Sequence, residues 1–200
     1  MNLPNKITVS RMFITLVILS ILLFPFESAG VDFTNLFINE LIVVNTKYIV
    51  VGVLFVIAII TDYLDGYIAR KKDMKTDLGR TLDDIADKLL IDLTLVVLAS
   101  QGFVHPIIPV AIIARDFIVN AIKMTAKEKG VELKYVKITK PKNIIIKLGM
   151  TLTLFYNLPF ELFNINISDM LLIVGTVLAI ISCIQYYNDN KKKIKKIVSE

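Results

Sequence analysis

The sequence predicts an all-α, polytopic membrane protein with six transmembrane helices and both termini in the cytoplasm. Three observations indicate this. Hydrophobic residues make up 55% of the 200 residues, and the mean hydropathy is +0.67. The chain contains six apolar runs near the roughly 20 residues that a membrane-spanning helix needs. Lysine and arginine are concentrated in alternate connections between these runs, as is typical of cytoplasmic loops.

The six spans are expected at positions 10–26, 47–68, 82–101, 106–124, 143–162 and 169–187. Residues 1–9 are expected to lie along the membrane interface, and residues 188–200 form a basic cytoplasmic tail that suits anionic lipid headgroups. We expect a single domain over residues 1–200. In the connection 27–46, the stretch FTNLFINELIVV suggests a short amphipathic helix on the outer surface.

The charge distribution sets the predicted orientation. Basic residues collect before the first span, between the second and third, between the fourth and fifth, and in the tail, whereas the other connections carry mainly acidic residues. The positive-inside rule therefore places the connection 70–80 in the cytoplasm. A net charge of +5 would suggest nucleic acid as a partner of a soluble chain. Here the charge follows the membrane topology, so we expect membrane lipids and no nucleic acid.

Two pairs of aspartates stand out beside the second and third apolar runs: Asp62 with Asp65, and Asp83 with Asp87. Residues three or four apart share one face of a helix, so each pair presents two carboxylates together. An ionised carboxylate at membrane depth costs roughly 2.5–3.5 kcal/mol. Hard divalent cations prefer carboxylate oxygen and would offset that cost. The alternative is that these aspartates lie at ordinary solvated helix ends.

Two glycines and an arginine accompany the acids. Gly66 and Gly79 have no side chain, so a ligand can approach the backbone closely there. Close packing of membrane helices is the alternative explanation for both glycines. Arg70 offers a planar fork of donors suited to phosphate, or else anchors the helix at the membrane surface.

The string Asp-x2-Asp-Gly-x2-Ala-Arg-x8-Gly-x3-Asp-x3-Asp, from Asp62 to Asp87, resembles the signature of the CDP-alcohol phosphatidyltransferases, with all eight fixed positions at the family spacing. The opening Pro-Asn-x-x-Thr-x-x-Arg, from Pro4 to Arg11, is similar to the start of bacterial members. The resemblance implies an enzyme that transfers the phosphatidyl group of CDP-diacylglycerol to an alcohol and releases CMP. It also implies a homodimer in the cytoplasmic membrane, with its active site at the cytoplasmic face.

The same resemblance implies roles for the signature residues. Two divalent ions, Mg²⁺ or Mn²⁺, are expected at Asp62, Asp65, Asp83 and Asp87. Asp87 is also expected to take the proton from the acceptor hydroxyl. The positions expected to contact CDP are Asp62, Gly66, Ala69, Arg70 and Gly79.

Three further cations suggest how the acceptor binds. Arg115 lies in the middle of the fourth span, where a charge is functional by default. Asp116 is not expected to pair with it, because adjacent residues diverge on a helix. Lys140 and Lys142 open the fifth span, and a helix N-terminus favours anions. The three cations suit a phosphorylated acceptor, although the lysines could simply be positive-inside flanking charges.

The segments Ala114–Phe117 and Thr139–Asn143 resemble segments of the phosphatidylglycerophosphate synthases, which implies sn-glycerol 3-phosphate as the acceptor. Alternatives within the family are a cardiolipin synthase or a synthase that uses an inositol phosphate. A divalent-cation transporter is the alternative from another class, disfavoured because Arg70 and Arg80 would repel cations at the same mouth.

Two acidic neighbours remain outside the predicted site. Asp84 is turned about 100° from Asp83 on a helix. Asp92 lies within the third span and needs a partner, which could be Lys88 or a residue of another helix.

Overall fold

The protein is described here from a computed structural model that covers residues 3–31, 33–38, 42–71, 77–131 and 139–199. Within these residues it is a helical bundle with one β-hairpin. The elements are α1 (Leu3–Leu23), β1 (Asn35–Ile38), β2 (Ile42–Asn45), α2 (Thr46–Lys71), α3 (Asp77–Lys88), α4 (Thr94–Ser100), α5 (Ile107–Glu128), α6 (Thr139–Leu154) and α7 (Ile167–Ser199). Short 3-10 turns occur at Glu27–Ala29 and Phe160–Phe163.

The apolar core runs through the bundle and draws on most of the helices. Its members with less than 2% exposure include Ile18 of α1, Phe55 of α2, Leu95 of α4, Ile112 of α5 and Met150 of α6. Helix α1 packs against α2 and α3, while α7 packs against α5 and α6. Many large apolar side chains on the outer helix faces remain exposed, as expected of a surface that faces lipid.

Helices α3 and α4 are joined by a π-helical turn, Leu89–Leu93, and together they form one continuous helix from Asp77 to Ser100. This matches the third predicted span, although the helix begins five residues earlier. Asp92 lies within the π-helical turn. Such turns are rare and occur frequently at functional sites.

The predicted amphipathic helix in the connection 27–46 is wrong, because β1 and β2 form an antiparallel hairpin there. The sequence IVVN of β2 is rich in β-branched residues, which favour strands over helices. The Thr46 hydroxyl donates a hydrogen bond to the Thr34 carbonyl at the base of the hairpin. Phe37 is 70% exposed, so the hairpin presents an apolar side chain outward.

Three helix bounds differ from the predicted ones. Helix α6 ends at Leu154 rather than at 162, since Tyr156 and Asn157 both have a φ of 55° and leave the helical conformation. Helix α1 begins at Leu3, so the segment before residue 10 belongs to the first helix. Helix α7 continues to Ser199, so the basic tail extends the last helix.

Among the described residues, three helices are long and apolar enough to cross a membrane, over Asn5–Leu23, Thr46–Ile68 and Ile167–Lys191. They coincide with the first, second and sixth predicted spans. Helix α6 has only 16 residues and includes three lysines. The arrangement of six spans with both termini in the cytoplasm remains a prediction.

The two ends of the bundle differ in chemistry. Near the hairpin, the ring of Tyr48 packs against Phe103 and Tyr156, and the Tyr156 hydroxyl accepts a hydrogen bond from the Asn45 backbone. The aspartates of the signature lie at the opposite end of α2 and on α3. The described fold therefore separates an aromatic end from an acidic end.

Candidate active site

Carboxylates from α2 and α3 meet beside the N-terminal part of α1. Carboxylate oxygens of Asp62, Asp65 and Asp83 all lie within 4.8 Å of one another. The predicted pairing of acids across the connection 72–76 is therefore present in the fold for these three residues. Asp65 is only 4% exposed, so this carboxylate has little access to solvent.

Arg11 binds this group of acids from α1. Its guanidinium donates to Asp62 and Asp83, and its Nη2 lies 3.6 Å from Asp65 Oδ2. The Arg11 side chain is completely buried, and Thr8, one turn earlier, donates to Asp65 Oδ2 at 3.1 Å. The first two turns of α1 thus pack onto the acidic site rather than standing apart from it.

Lys147 of α6 forms a second bridge. Its Nζ lies 2.7 Å from Asp62 Oδ2 and 2.6 Å from Asp87 Oδ1. Asp87 is therefore connected to the other acids through Lys147 and is not one of the three clustered carboxylates. A buried or partly buried charge is costly unless it is paired, and these four aspartates share two cations.

The donor set suits hard divalent cations. Clustered carboxylate oxygens are the ligands that Mg²⁺ and Mn²⁺ prefer. Arg11 and Lys147 pair with these acids, which indicates that the cluster attracts positive charge. The three carboxylates closest to one another belong to Asp62, Asp65 and Asp83. Asp87 lies on the far side of the Lys147 ammonium.

The remaining signature positions follow the same two helices. Gly66 is one turn beyond Asp62 in α2, and Gly79 is one turn before Asp83 in α3. Ala69 and Arg70 continue α2, but their side chains lie outside the described part of the structure, as does that of Lys140 in α6. Asp84 is exposed, in agreement with its exclusion from the predicted site.

Arg115 and Lys142 come together at one carboxylate. Arg115 Nη1 is 2.6 Å from Asp116 Oδ1, and Lys142 Nζ is 3.4 Å from the same oxygen. The expectation that Asp116 cannot pair with Arg115 was wrong, because the long arginine side chain reaches back to its neighbour. Arg115 Nη2 also donates to Ser182 of α7 at 2.7 Å, which ties α5 to α7.

Asp92 is within electrostatic reach of residues from both charged clusters. The charges of Lys142, Lys88, Asp116 and Asp87 all act on its carboxylate. Lys88 and, from another helix, Lys142 are therefore both neighbours of Asp92, and the sequence had left both kinds of partner open. Asp92 and Asp116 also line a cavity of about 310 Å³ between α3 and α5, whose other walls are mainly apolar.

Sequence reasoning missed the roles of Arg11 and Lys147. The sequence indicated Arg11 only as the end of the opening segment and gave no role to Lys147. A signal for Lys147 was present, since it interrupts the apolar run NIIIKLGM. A charged residue within an apolar span is expected to be functional, and this expectation applies to Lys147 as it does to Arg115.

Comparison with known proteins agrees with this geometry. The model of the CDP-alcohol phosphatidyltransferase family matches residues 1–182. The chain therefore belongs to the CDP-alcohol phosphatidyltransferase family.

Several relatives carry the name CDP-diacylglycerol–glycerol-3-phosphate 3-phosphatidyltransferase. The protein of that name from Bacillus subtilis is 31% identical over 97% of both chains. The one from Rickettsia bellii is 29% identical over 96% of both chains. The one from Rickettsia typhi is 34% identical over 77% of this chain and 72% of its own.

Proposed function

We propose that this protein transfers the phosphatidyl group of CDP-diacylglycerol to sn-glycerol 3-phosphate, which yields phosphatidylglycerophosphate and CMP. The acceptor hydroxyl oxygen forms a bond to the phosphatidyl phosphorus, and the bond from that phosphorus to CMP breaks. The observation that carries the proposal is the convergence of Asp62, Asp65 and Asp83 within a chain of this family. The names of full-length relatives support the choice of acceptor.

The four signature aspartates are the residues that would hold two divalent ions. Bound ions would neutralise the donor's phosphates and the charge that develops during the displacement. Asp62 and Asp65 come from one helix and Asp83 and Asp87 from another, so ion binding would fix α2 against α3. Gly66 and Gly79 lack side chains and would let the nucleotide approach the backbone, and Arg70 would bind the donor's phosphates.

Asp87 would accept the proton of the acceptor hydroxyl. A carboxylate that acts as a base must be ionised, and the contact with the Lys147 ammonium favours the ionised form of Asp87. The proton leaves as the new bond to phosphorus forms, so Asp87 acts in the chemical step rather than in binding.

Arg115, Lys142 and Lys140 would bind the phosphate of the acceptor. The pairing of Arg115 and Lys142 with one Asp116 oxygen supports this, because two converging cations suit an anion with several oxygens. Lys142 lies in the first turn of α6, where the helix dipole also favours an anion. The nearby apolar cavity beside Asp92 is wide enough for the glycerol part of a substrate.

The reaction would take place at the cytoplasmic face of the cell membrane in a homodimeric enzyme. The basic connections flanking the acidic site support this orientation. The positive charges of Arg11 and Lys147 within the acid cluster argue against a cation-conducting pore, since they would oppose ion passage.

An acceptor panel tests the proposal. The purified protein is incubated with labelled CDP-diacylglycerol, Mn²⁺ and one acceptor at a time: glycerol 3-phosphate, phosphatidylglycerol, inositol phosphate or glycerol. We expect CMP release and labelled lipid with glycerol 3-phosphate alone. Product with another acceptor would reassign the substrate within the family, whereas no CMP release with any of them would contradict the proposal.

A further inference from the structure

Two cations, one buried and one partly exposed, lie where the proposed metal ligands are. Arg11 bridges α2 and α3 through Asp62 and Asp83, and Lys147 bridges the same helices through Asp62 and Asp87. Both Asp62 oxygens accept from a cation, Oδ1 from Arg11 and Oδ2 from Lys147. A divalent ion bound to either oxygen would meet a positive group within hydrogen-bond distance.

We propose that Arg11 and Lys147 are internal counter-ions, which hold the acids together when no metal is bound and compete with divalent ions for the same oxygens. The inference rests on the proposed metal site. The Nε of Arg11 is buried and has no hydrogen-bond partner among the described residues, so the guanidinium is held there only by its Nη contacts to the acids. Lys147 keeps 12% of its side chain exposed, so it is not fully enclosed by the bundle.

The charge balance explains why such counter-ions are useful. Four carboxylates and two cations leave a net charge of minus two in the cluster. Two divalent ions alone would turn this to plus two. The pyrophosphate of CDP-diacylglycerol carries two negative charges and would return the site to neutrality. The two cations therefore weaken metal binding to the empty enzyme and strengthen the binding of donor and metal together.

Lys147→Met tests this, because methionine is about as long as lysine and has no charge. The full-length variant is purified in Mn²⁺, stripped with chelator and titrated with Mn²⁺ while the free ion is followed by electron paramagnetic resonance. Lys147 is proposed to compete with Mn²⁺ for the Asp62 and Asp87 oxygens, so removing its charge should tighten Mn²⁺ binding roughly tenfold. CDP-diacylglycerol should improve Mn²⁺ affinity less in the variant than in the wild type.

Thermal unfolding gives a second measurement that does not depend on activity. Without metal, Lys147→Met should have a lower Tm than the wild type, because the acids have lost a counter-ion. Mn²⁺ should raise its Tm by more than it raises the wild-type Tm. Lys123→Met, on the exposed face of α5, is the matched control and should behave as the wild type in both measurements.

Arg11→Gln probes the other bridge in the same way and should also bind Mn²⁺ more tightly. Unchanged or weaker Mn²⁺ binding by both variants would overturn the counter-ion role while leaving the metal site in place. A wild-type protein that binds no Mn²⁺ would overturn both the proposed metal site and this inference.

Discussion

Asp62 has the most contacts within the acidic cluster, because it faces Arg11, Lys147 and the other clustered acids at once. If Asp62, Asp65 and Asp83 share divalent ions, then replacing any one of them with asparagine removes a ligand charge. We expect turnover to fall by at least about a hundredfold, the order of loss caused by removing one transition-state contact. The rate of CMP release is the measurement.

The same experiment needs a control for folding and one for metal. Asp84→Asn, at the exposed neighbour of Asp83, should retain activity. A chelator should abolish the wild-type activity, and Mn²⁺ should restore it. Full activity in excess chelator, or in Asp62→Asn, would contradict the metal-dependent site.

In the proposed mechanism, Arg115 and Lys142 act in a different step from Asp87. A charge-assisted contact contributes roughly 1.5–3 kcal/mol, or about one to two powers of ten in affinity. Arg115→Ala and Lys142→Ala should therefore raise the KM for glycerol 3-phosphate by that factor and leave the KM for CDP-diacylglycerol nearly unchanged. Asp87→Asn should instead lower kcat.

Protein yield and Tm must accompany these constants, because Arg115 also contacts Ser182 and could matter for folding alone. Lys123→Ala supplies a surface lysine control on α5. Stable Arg115 and Lys142 variants with a normal KM for glycerol 3-phosphate would rule out the acceptor assignment.

At the scale of residues, the sequence could predict which acids meet but not which cations meet them. The spacing of Asp62 and Asp65 is local, so helical geometry was enough to place their carboxylates on one face, whereas Asp83 was assigned to the same site from the family signature. Arg11 and Lys147 reach the acids from helices distant in the chain. Only the packing of α1 and α6 against the signature helices brings those charges together, and no local pattern specifies that packing.

At the scale of elements, long apolar runs were easier to predict than their ends. Helices α2 and α5 were predicted closely, since their hydrophobic pattern extends along their whole length. The end of α6 and the β1–β2 hairpin were not, because both depend on turns. Tyr156 and Asn157, both with positive φ, end α6. The hairpin depends on the pairing of β1 with β2.

The contact between α6 and α7 depends on small residues. A Cβ atom at Gly175 would lie 2.6 Å from Ile146 Cγ1, closer than packed atoms allow. Gly175→Ala should therefore push α6 away from α7 and lower the free energy of unfolding by about 1–3 kcal/mol, the usual cost of overpacking. Activity should fall as well, since Ile146 precedes Lys147 in α6.

A second substitution tests this cause. Ile146→Ala removes the clashing atom, so the double variant should be more stable than the sum of the two single effects predicts. Thermal unfolding in detergent measures each variant, and Val174→Ala, on the exposed side of α7, is the control. Simple additivity of Gly175→Ala and Ile146→Ala would mean that the two positions do not clash.

At the scale of the whole molecule, the alternating basic connections predict the orientation of the bundle. The acidic site would then face the cytoplasm, and the hairpin with its aromatic cluster would lie on the outer side. This orientation matters for function because a phosphorylated, water-soluble acceptor must reach the site from the compartment that contains it. Three helices in the described part of the chain meet the length and hydropathy of a span, so the number of crossings calls for a direct measurement.

Cysteine labelling provides that measurement. In a Cys183→Ser background, Lys75→Cys lies in the connection between α2 and α3, and Ile165→Cys lies between α6 and α7. An impermeant maleimide added to intact cells should label position 165, whereas position 75 should react only after the membrane is opened. The reason is that an odd number of spans separates the two connections in the six-span arrangement. CMP release by both cysteine variants controls for folding, and labelling of both positions from the same side would exclude that arrangement.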